Sequence, residues 1–212
     1  MRHILVLNPK GGCGKSTIAT NLASYFASTG RKVALVDYDP QRSSLDWLDR
    51  RPTNRTEIKG VAGFKKGLKN VPRDADVAII DAPARSHGKE LTKLLQHAET
   101  IIVPVLPSTI DMQATSKFIT EIMATPTLKK KKAKIAVLAN RVRDNTIIFD
   151  ELDAFLRDLN VPYIATLREA QNYIRAYTRG LGIHELPQYL AWPDLEEWGP
   201  LTDWLESKSS RP

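Results

Sequence analysis

Asn8-Pro9-Lys10-Gly11-Gly12-Cys13-Gly14-Lys15-Ser16-Thr17 is the stretch that decides the fold. His3-Ile4-Leu5-Val6-Leu7 before it reads as a buried strand, and residues 16–28 after it read as a helix with Ile18, Leu22 and Phe26 on one face. A strand, a glycine turn and a helix in that order make a loop suited to phosphate. The glycines let the backbone approach phosphate oxygens, and the helix start adds unpaired N–H donors and the positive end of its dipole. Lys15 then supplies a point charge to the β- and γ-phosphates, and the Ser16 hydroxyl is placed to ligate Mg²⁺.

Two details depart from the generic loop. Pro9 replaces the usual first glycine, and a second lysine, Lys10, precedes the Gly-Gly pair. On Lys10 to Ser16 the chain resembles the ParA/MinD family of P-loop ATPases, whose deviant motif is Lys-Gly-Gly-x-Gly-Lys-Ser/Thr. The resemblance implies ATP and Mg²⁺ as ligands, with Lys10, Gly11, Gly12, Cys13, Gly14, Lys15, Ser16 and Thr17 around the nucleotide. It also implies that Lys10 reaches across a nucleotide-sandwich homodimer to the partner's phosphates. A cation supplied in trans neutralises charge developing on the γ-phosphoryl, as an arginine finger does; a solvated loop lysine has the same spacing.

The chain's 212 residues suffice for one sizeable α/β domain, so residues 1–212 are read as a single ATPase domain. Hydrophobic residues at 42% and charged residues at 26% are those of a globular chain rather than a disordered one. Apolar runs are no longer than a strand, and the N-terminus lacks a signal-peptide pattern, so a cytoplasmic location is expected. The one cysteine, Cys13, excludes an intrachain disulfide and a cysteine-cluster metal site. A net charge of +7 makes a polyanion partner plausible.

Further along, residues 32–37 read as a second strand that runs into Asp37-Tyr38-Asp39-Pro40-Gln41. Ligands bind at the carboxyl ends of strands in an open parallel sheet, and two carboxylates there can hold Mg²⁺-bound water or orient an attacking water. A plain strand-end turn also favours Asp and Pro. The stretch resembles the family's Asp-x-Asp-Pro-Gln motif, which implies that Asp39 positions the hydrolytic water and that Asp37 supports the metal shell. Lys10, Lys15 and Asp39 form the expected catalytic set. Residues 42–50 read as a helix, with Trp47 in the core or on a dimer surface. Asp76-Val77-Ala78-Ile79-Ile80-Asp81 has the Walker B pattern, in which Asp81 holds Mg²⁺. Ser16, Asp37 and Asp81 are thus the expected metal residues. Arg85, Ser86 and His87 follow in a loop able to sense the γ-phosphate.

Residues 100–105 read as a strand and 110–125 as a long helix. Residues 128–134 read as a loop carrying Lys129, Lys130, Lys131 and Lys132, which attract phosphate backbones or form a solvated loop. Residues 135–139 read as a strand with Asn140 at its carboxyl end. In the family an Asn there bonds adenine, so Asn140 is the base-reading candidate, a turn-forming Asn being the competing account. Residues 161–165 read as the last strand. Arg168, Arg175 and Arg179, in a segment resembling the one that leads into DNA contacts in ParA-type proteins, are phosphate-contact candidates or one polar helix face.

The expected fold is α/β, a doubly wound, mostly parallel sheet of about seven strands flanked by helices. The expected function is a ParA-type switch. ATP and Mg²⁺ favour a dimer that binds DNA nonspecifically, and slow hydrolysis, stimulated by an adaptor protein, releases it to partition plasmids or chromosomes or to position protein organelles. A nucleoid-associated location follows. Two rivals are an ATP-dependent ligase of the dethiobiotin-synthetase type and a MinD-like membrane ATPase. The tail lacks a basic amphipathic anchor, so no stable membrane association is expected.

Overall fold

The computed structural model describes residues 1–212, the Lys131 side chain excepted. Seven strands form one sheet: β1 (Arg2–Val6), β2 (Val33–Asp37), β3 (Ile58–Ala62), β4 (Val77–Asp81), β5 (Thr100–Val105), β6 (Lys134–Val142) and β7 (Tyr163–Arg168). Their order is β3-β2-β4-β1-β5-β6-β7, and every neighbouring pair is parallel. Parallel strands need crossovers, and helices supply them: α1 (Lys15–Ser28), α2 (Ser43–Leu48), α3 (Gly63–Lys66), α4 (Gly88–His97), α5 (Thr109–Ala124), α6 (Pro126–Lys131), α7 (Ile147–Arg157), α8 (Gln171–Thr178) and α9 (Gln188–Glu206).

Alternation within the strands divides the core into two layers. Ile4 and Val6 of β1 face α1, α8 and α9, whereas Leu5 and Leu7 face α4, α5, α6 and α7. Because both faces are covered, the central strands read as continuous apolar runs; all five positions of β2 and of β4 are buried. Trp47 and Trp198 are fully buried on the α1 side, so Trp47 belongs to the core.

Register places the chemistry. Val6 stands level with Asp81, and Asp81 with Asp37, so β1, β4 and β2 end together with the two carboxylates on adjacent strands. At the other edge Arg2 ties the first strand to the last residues, donating to Thr100 Oγ1 at 3.0 Å, Ser210 Oγ at 2.7 Å and the Leu205 carbonyl.

Three sequence expectations shift. Residues 128–134 are not a loop: α6 continues through Lys131, because Pro126 opens a helical turn and Thr125 Oγ1 caps it by accepting from the Leu128 N–H. Lys132 then ends it in a left-handed conformation. Strand β6 extends beyond Ala139 and includes Asn140, and β7 runs from Tyr163 to Arg168 rather than over residues 161–165. Pairing between β6 and β7 carries a bulge at Arg141, where the register shifts between Asn140 and Val142.

Candidate functional site

A cavity of about 590 Å³ opens where β1, β2, β4 and β6 end, at the carboxyl edge of the sheet. Its floor is the glycine loop, with Gly11, Gly12, Gly14, Lys15, Ser16 and Thr17 lining it. Gly14 has φ +89°, and a Cβ there would sit 2.3 Å from Asn140 Nδ2. Only glycine fits both demands. The loop is braced from beneath by Asn8, which donates to the Pro104 carbonyl at 2.7 Å and accepts the Lys10 N–H at 2.8 Å. Lys15 is buried and donates to the Lys10 carbonyl at 2.8 Å. Cys13 is fully buried against the same carbonyl at 3.3 Å, and burial pushes its thiol pKa up. This is the packing of a structural thiol rather than a reactive one.

Asp81 is fully buried and accepts from Ser44 Oγ at 2.6 Å through Oδ2, while Oδ1 has no hydrogen-bond partner. Burial pushes its pKa up to about 7, the Ser44 and Ser16 hydroxyls pulling in the opposite direction. A buried, unpaired carboxylate oxygen is costly in a folded chain unless a ligand completes it. That unpaired oxygen therefore fits Mg²⁺ or a water bound to it, and Asp81 and Ser16, whose hydroxyl acts on the same carboxyl, are the residues to hold that ion. Bound there, Mg²⁺ supplies neutralisation of phosphate charge.

Asp37, expected to support the metal shell, accepts the Asp39 N–H at 2.9 Å through Oδ1 and the N–H groups of Ser44 and Leu45 at 3.0 and 3.2 Å through Oδ2. The residue is fully buried, and burial raises its pKa against those three donors. It caps α2 and fixes the turn that carries Asp39 and Ser44, so it acts on the site through them. Asp39 lines the cavity half-buried, its Oδ1 accepting the Gln41 N–H at 2.9 Å.

At the far end of the cavity lie Asn140, Arg141, Arg168, Glu169, Tyr173, Ile174 and Tyr177. Asn140 Nδ2 donates to the Cys13 carbonyl at 2.8 Å, which leaves its second N–H and Oδ1 for a base. Arg168 departs from the DNA expectation. Its Nε lies 2.9 Å from the fully buried Asp194 and 3.8 Å from Glu197, so the guanidinium anchors α9 to β7. Asp194 also accepts from Asn172 Nδ2 at 2.7 Å, and Trp198 Nε1 donates to the Tyr173 hydroxyl at 2.9 Å.

Among the other DNA candidates, Lys129, Lys130 and Lys132 are exposed at the amino edge of the sheet, ahead of β6; the Lys131 side chain lies outside the described residues. Arg175 and Arg179 are exposed on and after α8. Leu128 packs into the layer of α4, α5 and α7, and Ala176 into that of α1 and α9. The lysines and the arginines therefore occupy opposite faces of the sheet and form no common patch. Lys10 is half-buried, has no ion pair among the described residues, and does not line the cavity that its neighbours build.

Ser44, Asn8, Asp194 and Asn172 escaped the sequence reading of the site. Nothing local marks a polar residue that will meet its partner across the sheet.

The family model for the CobQ/CobB/MinD/ParA nucleotide binding domain matches residues 4–183. The chain belongs to this family. It is a nucleotide-binding P-loop ATPase of the ParA/MinD type. The maintenance of carboxysome distribution protein A of Halothiobacillus neapolitanus is 28% identical over 189 residues, covering 86% of this chain and 87% of that protein. The chromosome-partitioning ATPase Soj of Thermus thermophilus is 31% identical over 137 residues, 50% of this chain and 55% of its own. Cyanothece McdA has the same fold: its apo form superposes with a TM-score of 0.76 at 18% identity, covering 97% of this chain and 99% of McdA.

Proposed function

We propose that this ATPase is a positioning switch: with ATP and Mg²⁺ it forms a homodimer that binds DNA nonspecifically, and hydrolysis, stimulated by an adaptor protein, releases it. The observation that carries the reading is the division of labour between two lysines. Lys15 lies inside the cavity, in reach of a nucleotide held by its own chain, whereas Lys10, five residues earlier in the same loop, stands outside it without a counter-ion. A cation placed there serves a nucleotide on a second copy. Asp39, on the cavity wall, is the residue to orient the attacking water, and Asn140 the one to meet the base. Lys129, Lys130 and Lys132 on one face and Arg175 and Arg179 on the other are the candidates for phosphate contact.

The cargo is a protein-shelled organelle, a plasmid or a chromosome. The near full-length match to a carboxysome distribution protein supports the first, and the partial match to Soj the last. The MinD-like reading has less support, since α9 packs its apolar face onto the sheet. The test is binding to random-sequence DNA at two salt concentrations, with ATP, ADP or no nucleotide. Binding that requires ATP, weakens steeply with salt and disappears in Lys10→Ala is the expected result. Binding that ignores the nucleotide defeats the switch.

A further inference from the structure

Among the described residues, five other than glycine hold a left-handed backbone, and three of them are arginines at the carboxyl edge of the sheet. Arg42 (φ 60°) follows the Asp39 turn, Arg85 (φ 65°) follows β4, and Arg141 (φ 54°) is the bulge of β6. Arg42 has a counter-ion in Asp49 at 3.2 Å, and Arg141 in Glu169 at 2.6 Å. Arg85 is exposed and has no ion pair among the described residues. A left-handed backbone is strained for any residue with a Cβ, a strain that glycine would remove. Among the described residues no hydrogen bond or ion pair of the Arg85 side chain offsets it.

Position gives Arg85 its significance. Its backbone N–H donates to the Pro9 carbonyl at 3.1 Å, so the loop after β4 is clipped to the residue preceding Lys10. Ala84, one residue before, lines the cavity and lies against Gly11; Arg85 does not line it. Lys10 and Arg85 thus stand on two loops joined by that hydrogen bond, neither lining the cavity of their own chain and neither with an ion pair among the described residues. Two cations on joined loops, each without an ion pair of its own, are suited to anionic groups supplied from outside the chain.

We propose that Arg85 is a second cation which, together with Lys10, this chain presents to the nucleotide phosphates held by a second copy. The inference rests on the dimer reading given above. In hydrolysis the oxygen of water bonds to the γ-phosphorus as the bond from phosphorus to the bridging oxygen breaks. ADP departs with that oxygen and its electron pair, and one proton of the water passes to phosphate or solvent. Negative charge grows on the bridging and γ-oxygens meanwhile. A guanidinium offers paired N–H donors to those oxygens, which the single ammonium of Lys10 cannot.

Arg85→Gly tests the proposal without endangering the fold, because glycine suits φ 65°; its melting temperature should equal or exceed the parent's. The expected result is unchanged MgATP binding by the dilute monomer and turnover reduced at least about tenfold. Mixing then separates cis from trans. Asp39→Ala subunits are slow themselves but carry an intact Arg85, so an excess of them should restore turnover in the nucleotides held by Arg85→Gly subunits. Normal turnover by Arg85→Gly alone, or no recovery on mixing, overturns the proposal. Sedimentation of the parent chain with ATP distinguishes the deeper failure: a parent that remains monomeric refutes the dimer reading and this inference with it, whereas a dimeric parent confines the failure to Arg85.

Discussion

The two ends of the cavity are built in opposite ways. The phosphate end is one continuous piece of chain whose fit depends on backbone: Gly14 at φ +89° against Asn140, Asn8 beneath the loop, and Lys15 on the Lys10 carbonyl. The base end is assembled from β6, β7 and α8 and held by side chains from α9, through the Arg168–Asp194–Asn172 group and the Trp198–Tyr173 bond. A backbone fit fails when one atom is added. A side-chain assembly loses strength by degrees, because each contact supports only part of it.

The sharpest way to break this contrast is Gly14→Ala. The added Cβ meets Asn140 in a backbone conformation that alanine resists, a combined strain and overpacking of at least about 3 kcal/mol. Loss of MgATP binding by more than about a hundredfold, read by titration with a fluorescent ATP analogue, is expected. Near-normal binding would show that the phosphate end yields as readily as the base end. Next in size is Asp194→Ala, which leaves Arg168 and Asn172 without their shared buried partner. Stability should fall by about 3 kcal/mol, a drop in melting temperature of about 6–12 °C, while ATP affinity changes less than about tenfold. Abolished binding at an unchanged melting temperature would place Asp194 at the phosphate end of the comparison.

The smallest effect concerns the support beneath the base end. His184 packs between Tyr25 and Trp198, at centroid distances of 5.0 and 5.5 Å, and burial lowers its pKa to about 4 from the ordinary 6.5. The unfolded chain takes up this proton near pH 6.5 and the folded chain only near pH 4. Stability is therefore lost as pH falls through that window, by up to about 3 kcal/mol from this group. His184→Phe should flatten the slope of unfolding free energy between pH 6.5 and 4; an unchanged slope would mean that His184 is hydrated in solution.

Legibility followed the same division. The phosphate end could be read because its chemistry is contiguous: residues 10–16 carry loop, charge and metal hydroxyl within a single turn of chain, and apolar runs announced β1, β2 and β4 within a residue or so of their ends. Asp37 was visible, but its use was not. Whether a carboxylate faces an ion or three backbone N–H groups depends on how the following turn folds back, and the residue type is the same in both cases. The lysines at 129–132 were misread as a loop because a lysine run suggests solvent, while Thr125, Pro126 and the burial of Leu128 were enough for a helical turn. Asp194 was the least legible. An acidic residue within a helix ordinarily faces water, and only the arrival of β7 beside α9 supplies Arg168.

Arg2 has a consequence for the order in which the molecule can be completed. Its buried guanidinium belongs to the first strand, yet the oxygens of Leu205 and Ser210 that receive it are made 203 and 208 residues after it. Until then the charge has Thr100 alone for company, and the centre of the sheet carries an incompletely solvated cation. Chains that do not yet have, or have lost, residues 205–210 are thereby marked by looseness at their oldest strand, where a protease that samples partly folded protein can tell them from complete folds.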